Sequence, residues 1–189
     1  MIIKDEIHLG YLEPYAYRYS YKEAADIIIE RFFHDNSRDE FLIIPATYLY
    51  RHFVELSLKD IFFASNEMLD FVSEDSLENS NLLGHNLLDL ANKVDEKIKK
   101  LSKKFDEDIE FFSLPEDLCH FKPLIKLLDK HDKGGQSFRY HKLNTGEKSL
   151  HSTTIVNIIE LRSMVQHFDD NASGLIFYLE DCLSNSLGD

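Results

Sequence analysis

The segment from Ser152 to Asp170 (STTIVNIIELRSMVQHFDD) constrains the fold most, because it is a strongly apolar helix candidate with a charged residue where a hydrophobic one is expected. Ile155, Ile158 and Ile159 have the spacing of a buried helical stripe. The next member of that stripe is Arg162. Since an unpaired charge is costly to bury, the pattern predicts that Arg162 is paired, hydrogen-bonded, or held at a subunit interface or cleft.

Length and composition indicate one helix-rich globular domain spanning residues 1–189. The chain is 43% hydrophobic and 29% charged, with only seven Gly and four Pro, which is typical neither of a disordered nor of an all-β protein. Cys119 and Cys182 are far apart and have no metal or redox spacing. We therefore expect reduced cysteines, no metal or other cofactor, and a cytoplasmic location.

The charge and hydropathy of the chain restrict its partners. No run approaches the roughly 18 apolar residues of a membrane span, and charges interrupt the N-terminus too early for a targeting segment, so no membrane partner is expected. The net charge of −13 argues against a general nucleic-acid binder, because nonspecific affinity comes mainly from Lys and Arg. A nuclease with a local basic cleft remains compatible. The densest basic run, 93–104, is either a solvated helix face or an RNA-backbone contact surface.

Capping motifs and apolar spacing predict six helices and no sheet. Capping boxes begin at Ser20 and Ser37, and the second precedes the longest apolar segment, in which Pro45 is either a kink or a later start. Residues 73–81 are predicted to form a polar loop. The predicted helices run from Ser20 to about His34, from Phe41 to Phe63, from Leu87 to Phe105, from Ser113 towards His131, from Ser152 to Asp170, and from Leu175 to Leu183.

Residues 1–19 are predicted to form an extended N-terminal arm. Tyr15, Tyr17 and Tyr19, followed by Tyr21, alternate with other residues at the period of two that extended chains show. Their rings either pack across a groove of the same domain or stack on bases.

A polar cluster interrupts the longest apolar segment. Arg51, Glu55 and Lys59 follow at i, i+4 and i+8, and His52 is three residues from Glu55, so all four can line one helical face. One interpretation is an exposed ion-pair ladder, worth only about 0.3–0.5 kcal/mol per pair. The other is a cleft, because the surrounding apolar helix is expected to be central.

The pair Arg162 and His167 resembles the signature of the HEPN superfamily (higher eukaryotes and prokaryotes nucleotide-binding). In that signature an Arg and a polar residue are followed, after a short interval, by a His. Here the polar residue is Ser163, where family members more often have Asn, Asp or His. The resemblance implies an all-α, HEPN-like up-and-down helical bundle of about five to six helices.

Three further segments resemble, in order, a pattern of a bacterial subset of HEPN-like proteins. They are YLYRHFVELSLK at 48–59, GHNL at 84–87 and SFRY at 137–140, although His141 follows where the subset often has Pro. The resemblance adds His85 and Arg139 to the polar cluster. These residues are expected either to shape a cleft or to fix the fold through a buried polar network.

The HEPN resemblance implies a metal-independent endoribonuclease, possibly a toxin or antiphage defence effector. In such an enzyme the RNA 2′-hydroxyl attacks the adjacent phosphodiester and leaves a 2′,3′-cyclic phosphate. His167 suits the proton transfer, and Arg162 suits the developing phosphorane charge. Side chains five residues apart point about 140° away from each other on a regular helix. The pair therefore converges only if Arg162 reaches around the helix, if the helix distorts near His167, or if a second subunit completes the site. The HEPN resemblance implies a homodimer in which the two motifs face each other across the symmetry axis.

Two further expectations concern partners and the rival function. Some HEPN toxins have, two residues after the motif His, a Tyr that an antitoxin modifies, but here that position is Asp169. An ordinary protein antitoxin or a defence-system component remains a possible partner. The rival interpretation is a noncatalytic helical module that binds a nucleotide or a protein through the face from Arg51 to Lys59.

Overall fold

The computed structural model describes residues 13–34, 40–72, 84–105, 118–143, 145–150 and 156–186. Within these ranges the prediction of an all-α bundle is confirmed, since they contain no strand and only an isolated bridge between Lys142 and Lys148. A short 3-10 helix, Glu40–Leu42, leads into the second α-helix. The α-helices are α1 (Pro14–His34), α2 (Ile43–Val72), α3 (Leu87–Phe105), α4 (Leu118–His131) and α5 (Ile158–Ser186).

Helix α2 is the centre of the bundle, as its apolar sequence predicts. It packs against α1, α3 and α5, while α4 contacts α3 and α5. A helix that is apolar on most of its surface needs neighbours on several sides. Pro45 lies in its first turn, where the missing N–H breaks no helical hydrogen bond. Its fully buried side chains include Tyr50, Arg51, Phe53, Val54, Leu58 and Ile61.

Two asparagines mark where helices begin. The Asn86 Oδ1 atom accepts a hydrogen bond from the Asp89 backbone N–H at 2.9 Å, and α3 has the bounds that the sequence predicts. The Asn157 Oδ1 atom accepts one from the Glu160 N–H at 3.2 Å. Helix α5 therefore begins at Ile158, later than predicted, and it continues without a break to Ser186. The two helices predicted from Ser152 to Asp170 and from Leu175 to Leu183 are parts of this one helix.

The buried face of α5 differs from the predicted stripe. Ile159 is 66% exposed, whereas Leu161 is fully buried, so the buried face is rotated around the helix by about 100°, or one residue position, from the predicted stripe. Arg162 consequently lies beside the buried face, and its side chain is 37% exposed. The prediction that Arg162 occupies a core position is wrong. The residues that form the buried face are Leu161, Val165, Phe168, Ala172, Ile176 and Leu179.

The predicted extended arm is wrong from residue 14 onwards, because Pro14 begins α1. Tyrosines that alternate along the sequence are also four residues apart in pairs, and on a helix such pairs touch. The Tyr15 and Tyr19 rings stack with centroids 5.5 Å apart, and the Tyr17 and Tyr21 rings meet edge to face at 5.6 Å. Residues 1–12 lie outside the described residues.

Several predictions concern residues that the structure does not describe: the loop at 73–81 and the helix starts at Ser37 and Ser113. Helix α4 passes through Pro123 without interruption. In the described ranges, no helix is both long and apolar enough to cross a membrane.

Candidate functional site

The Arg51 guanidinium lies at the centre of a polar cluster that joins three parts of the fold. Its side chain is 1% exposed. The Nη1 atom donates to Glu55 Oε2 at 2.8 Å, Nε donates to the Asp132 carbonyl at 3.1 Å, and Nη2 donates to the His85 carbonyl at 2.5 Å. One cation thus connects α2, the segment before α3 and the end of α4.

The turn after α4 closes over this guanidinium. The Asp132 carboxylate is fully buried, with Oδ2 3.3 Å from Arg51 Nε, and its Oδ1 accepts a hydrogen bond from the Ser137 N–H at 2.7 Å. Gly135 has a φ of 70°, and a Cβ atom there would lie 3.0 Å from Arg51 Nη1. The site therefore requires a glycine, both for its backbone conformation and for its close approach to the arginine.

The Glu55 carboxylate accepts three side-chain hydrogen bonds although it is almost fully buried. Besides Arg51, the Lys59 ammonium and the His85 Nδ1 atom each lie 2.8 Å from Oε1. Burial alone would raise the pKa of Glu55, but the hydrogen bonds from Lys59, His85 and Arg51, with the charge of Lys59, outweigh it and lower the pKa. Glu55 is therefore ionised at neutral pH.

An ionised Glu55 determines which tautomer the neutral His85 ring adopts. Because a carboxylate only accepts, Nδ1 of His85 carries the hydrogen towards it, and Nε2 is left as the basic nitrogen of the neutral ring. The His85 side chain is 64% exposed. A buried carboxylate thus orients an accessible imidazole, which is an arrangement suited to proton transfer.

Aromatic rings and a further cation border the cluster. The exposed Arg139 donates from Nε to the Gly135 carbonyl at 2.6 Å, and its guanidinium lies 5.6 Å from the Tyr48 ring and 5.4 Å from the Tyr140 ring. Arg139 forms no ion pair with a carboxylate of the described residues. His52 stacks on Tyr48, with centroids 5.8 Å apart, and burial lowers the pKa of His52.

Hydrogen bonds join four of the six predicted members of the polar cluster, Arg51, Glu55, Lys59 and His85. The other two, His52 and Arg139, lie at its border, where both contact the Tyr48 ring. Arg51 and Glu55 do not form an exposed ladder but a buried pair. The sequence interpretation missed Asp132, which carries no recognisable motif. Its only local signal is its position two residues before Gly134 and Gly135.

Arg162 faces α1. Its Nε atom donates to Asp26 Oδ1 at 2.9 Å, and its Nη2 atom donates to Glu30 Oε1 at 2.5 Å. The same Asp26 oxygen accepts a hydrogen bond from the Tyr50 hydroxyl at 2.6 Å. The prediction that Arg162 is paired is therefore confirmed, and its partners are two carboxylates.

His167 faces the other side of α5. Its side chain is exposed, and its ring lies 5.9 Å from the Phe121 ring of α4. No hydrogen bond or ring contact joins it to Arg162 within the described chain. The two side chains contact different helices, α1 and α4, which agrees with the wide angle expected from their spacing. Completion of this pair by a second subunit stays a prediction.

Comparison of the chain with family models, with curated proteins and with solved structures found no match. The described residues contain no group of three or more His, Cys, Asp or Glu side chains placed to hold a metal ion. The fold and the site define an all-α bundle with a buried arginine–carboxylate centre and an accessible histidine. Membership of the HEPN superfamily stays a prediction from the sequence motifs.

Proposed function

We propose that this protein is a metal-independent endoribonuclease with its centre at His85, Glu55, Lys59 and Arg139. The observation that carries the proposal is the buried Glu55 carboxylate, which holds the exposed His85 imidazole at 2.8 Å and the Lys59 ammonium at the same distance. A positioned base beside fixed cations is what cleavage of RNA by its own 2′-hydroxyl requires.

In the proposed reaction, Nε2 of His85 takes the proton of the RNA 2′-hydroxyl while the 2′-oxygen bonds to phosphorus. The bond from phosphorus to the 5′-oxygen breaks, and this oxygen takes a proton from solvent. His85 later releases to solvent the proton that it took from the 2′-hydroxyl. The products are a 2′,3′-cyclic phosphate and a 5′-hydroxyl. Glu55 fixes the tautomer of His85 and stabilises its imidazolium form.

The cations would act on the phosphate. Lys59, whose side chain is 21% exposed, and the exposed Arg139 would stabilise negative charge on the phosphorane. Arg51 is too deeply buried to bind substrate and would position Glu55 and the carbonyl of His85. A local group of cations is compatible with the net charge of −13, which disfavours general nucleic-acid binding.

The pair Arg162 and His167 supports this function less well within one chain. A phosphate at Arg162 would compete with Asp26 and Glu30, and His167 lies on another side of α5. The HEPN resemblance nevertheless extends the proposal to a homodimer, to a cytoplasmic toxin or antiphage effector, and to a protein antitoxin or defence-system partner.

The test is cleavage of a short RNA by the purified wild type and by two variants, in the presence of EDTA. His85→Ala removes the proposed base, and His167→Ala is the matched control, since both side chains are exposed and neither belongs to the hydrophobic core. We expect His85→Ala to lower the rate by about 10²–10⁴-fold and His167→Ala to retain it. Product ends are identified by mass spectrometry as cyclic phosphates.

Other outcomes are equally informative. Loss of cleavage in His167→Ala alone would move the centre to the Arg162 pair. An inactive but folded wild type would remove the ribonuclease and favour the noncatalytic nucleotide- or protein-binding module. Growth arrest on induced expression tests the toxin role, and light scattering tests the homodimer.

A further inference from the structure

A chain of aromatic contacts leads away from the proposed centre and across α2 to α1. Tyr48 and His52 stack on α2, and the His52 ring meets the Tyr21 ring edge to face at 4.5 Å. Tyr21 in turn contacts Tyr17, one helical turn earlier on α1. At the other end, Arg139 lies over both Tyr48 and Tyr140. We call this surface the aromatic strip; it consists of Tyr17, Tyr21, His52, Tyr48, Arg139 and Tyr140.

The two ends of the aromatic strip are open to solvent. Tyr17 is 48% exposed and Tyr140 is 55% exposed, whereas large aromatic side chains usually gain stability by burial. Of the four tyrosines in the strip, only Tyr21 packs against the hydrophobic core. Packing of the bundle therefore does not account for the exposed rings at the ends.

No member of the aromatic strip is an Asp or a Glu, and Tyr21 and His52 in its middle are uncharged near neutral pH. A hydrogen bond with Tyr17, whose hydroxyl lies 3.2 Å away, together with burial, raises the pKa of Tyr21 to about 12. Burial also keeps His52 neutral by lowering its pKa. The charge on the strip is that of Arg139, which lacks a carboxylate partner among the described residues. Flat neutral rings beside a cation that pairs with no carboxylate of the described residues match the bases and phosphates of a nucleic acid.

We infer that the aromatic strip binds single-stranded nucleic acid, with bases stacked on Tyr17 and Tyr140 and a phosphate paired with Arg139. A duplex hides its base faces, so only a single strand offers rings that can stack on tyrosines. The role of the strip in guiding RNA towards His85 rests on the proposed ribonuclease. Binding itself does not, because stacking and phosphate pairing need no reactive 2′-hydroxyl.

The test measures binding of a fluorescent single strand of about eight 2′-O-methyl nucleotides, a length within the range of known single-strand sites. Methylation blocks the 2′-oxygen, so the probe cannot be cleaved by the proposed reaction. Fluorescence anisotropy of the full-length wild type is compared with Tyr17→Ala, Tyr140→Ala and Arg139→Gln. Tyr15→Ala is the matched control, since Tyr15 is 52% exposed on the same helix but lies outside the aromatic strip.

We expect each tyrosine substitution in the strip to weaken binding by about 5-fold or more, and Tyr15→Ala to leave it unchanged. Arg139→Gln should also reduce the salt dependence of log Kd by about 0.7, the contribution of one phosphate contact on a single strand. An equal loss in Tyr15→Ala, equal affinity for the matching duplex, or no binding by folded wild type would overturn the inference.

The two proposals fail separately. Binding of the methylated probe without cleavage of RNA would overturn the ribonuclease and support the aromatic strip. Cleavage of RNA without binding of the probe would overturn the strip and leave the ribonuclease in place.

Discussion

The exposed imidazole of His85 forms a hydrogen bond with the buried carboxylate of Glu55, in which Nδ1 lies 2.8 Å from Oε1. The same carboxylate holds Arg51, whose other nitrogens reach the carbonyls of His85 and Asp132. A surface group is thus held by a network that also joins three segments of the bundle. Substitutions in this network separate its contribution to stability from its contribution to function.

Gly135→Ala should destabilise the fold more than Gly146→Ala or Gly134→Ala does. The new Cβ would lie 3.0 Å from Arg51 Nη1, and the backbone has a positive φ. Gly146→Ala shares the positive φ but meets nothing within 4 Å, so it measures the backbone cost alone, about 1–2 kcal/mol. Gly134→Ala has neither penalty. In urea unfolding, the loss of unfolding free energy should be largest for Gly135→Ala, smaller for Gly146→Ala and smallest for Gly134→Ala. Equal losses in the first two variants would show that the contact with Arg51 is unimportant.

Arg51→Lys should cost about 3–5 kcal/mol of unfolding free energy, because a single ammonium cannot reach all the acceptors and leaves buried carboxylates without a partner. Arg139→Lys is the control, since Arg139 is exposed, and it should cost about 1 kcal/mol or less. Chemical denaturation followed by circular dichroism measures both. Similar losses for the two variants would mean that the Arg51 network adds little stability.

Glu55→Gln should make stability less dependent on pH in acid. The folded-state pKa of Glu55 is lowered, so its contribution is present above the unfolded pKa of about 4.3 and is lost as pH falls through the folded value. The variant should be less stable than wild type by about 3 kcal/mol at pH 7. That difference should shrink below about pH 4. A difference that stays constant between pH 7 and pH 3 would contradict the ionised state of Glu55.

The ion pair of Arg162 with Asp26 should contribute little to stability. The Arg162 side chain is 37% exposed, so a double-mutant cycle with Arg162→Ala and Asp26→Asn should give a coupling of about 1 kcal/mol or less. Arg162→Ala should therefore remain folded and can be tested for activity. A coupling free energy of about 3 kcal/mol would instead show that this ion pair stabilises the packing of α5 against α1.

Much of the local structure follows from spacing along the chain. The bounds of α3 and the cap at Asn86 are predicted correctly because helix ends depend on a few adjacent residues. The period of two at Tyr15–Tyr21 was misleading, since such a pattern also places tyrosines four residues apart. Only the packing of α1 against α2 selects the helical alternative.

The sequence by itself determined the helical class, the central position of α2 and the grouping of Arg51, Glu55 and Lys59, because these depend on periodicity within one segment. The tertiary structure decided what each charge meets. His85 reaches Glu55 from 30 residues away, and Arg162 reaches Asp26 from 136 residues away. Which side of a helix is buried, and therefore which polar groups pair, is set by its neighbours in space. For that reason Arg162 and His167 contact different helices, while Arg51, Glu55, Lys59 and His85 contact one another.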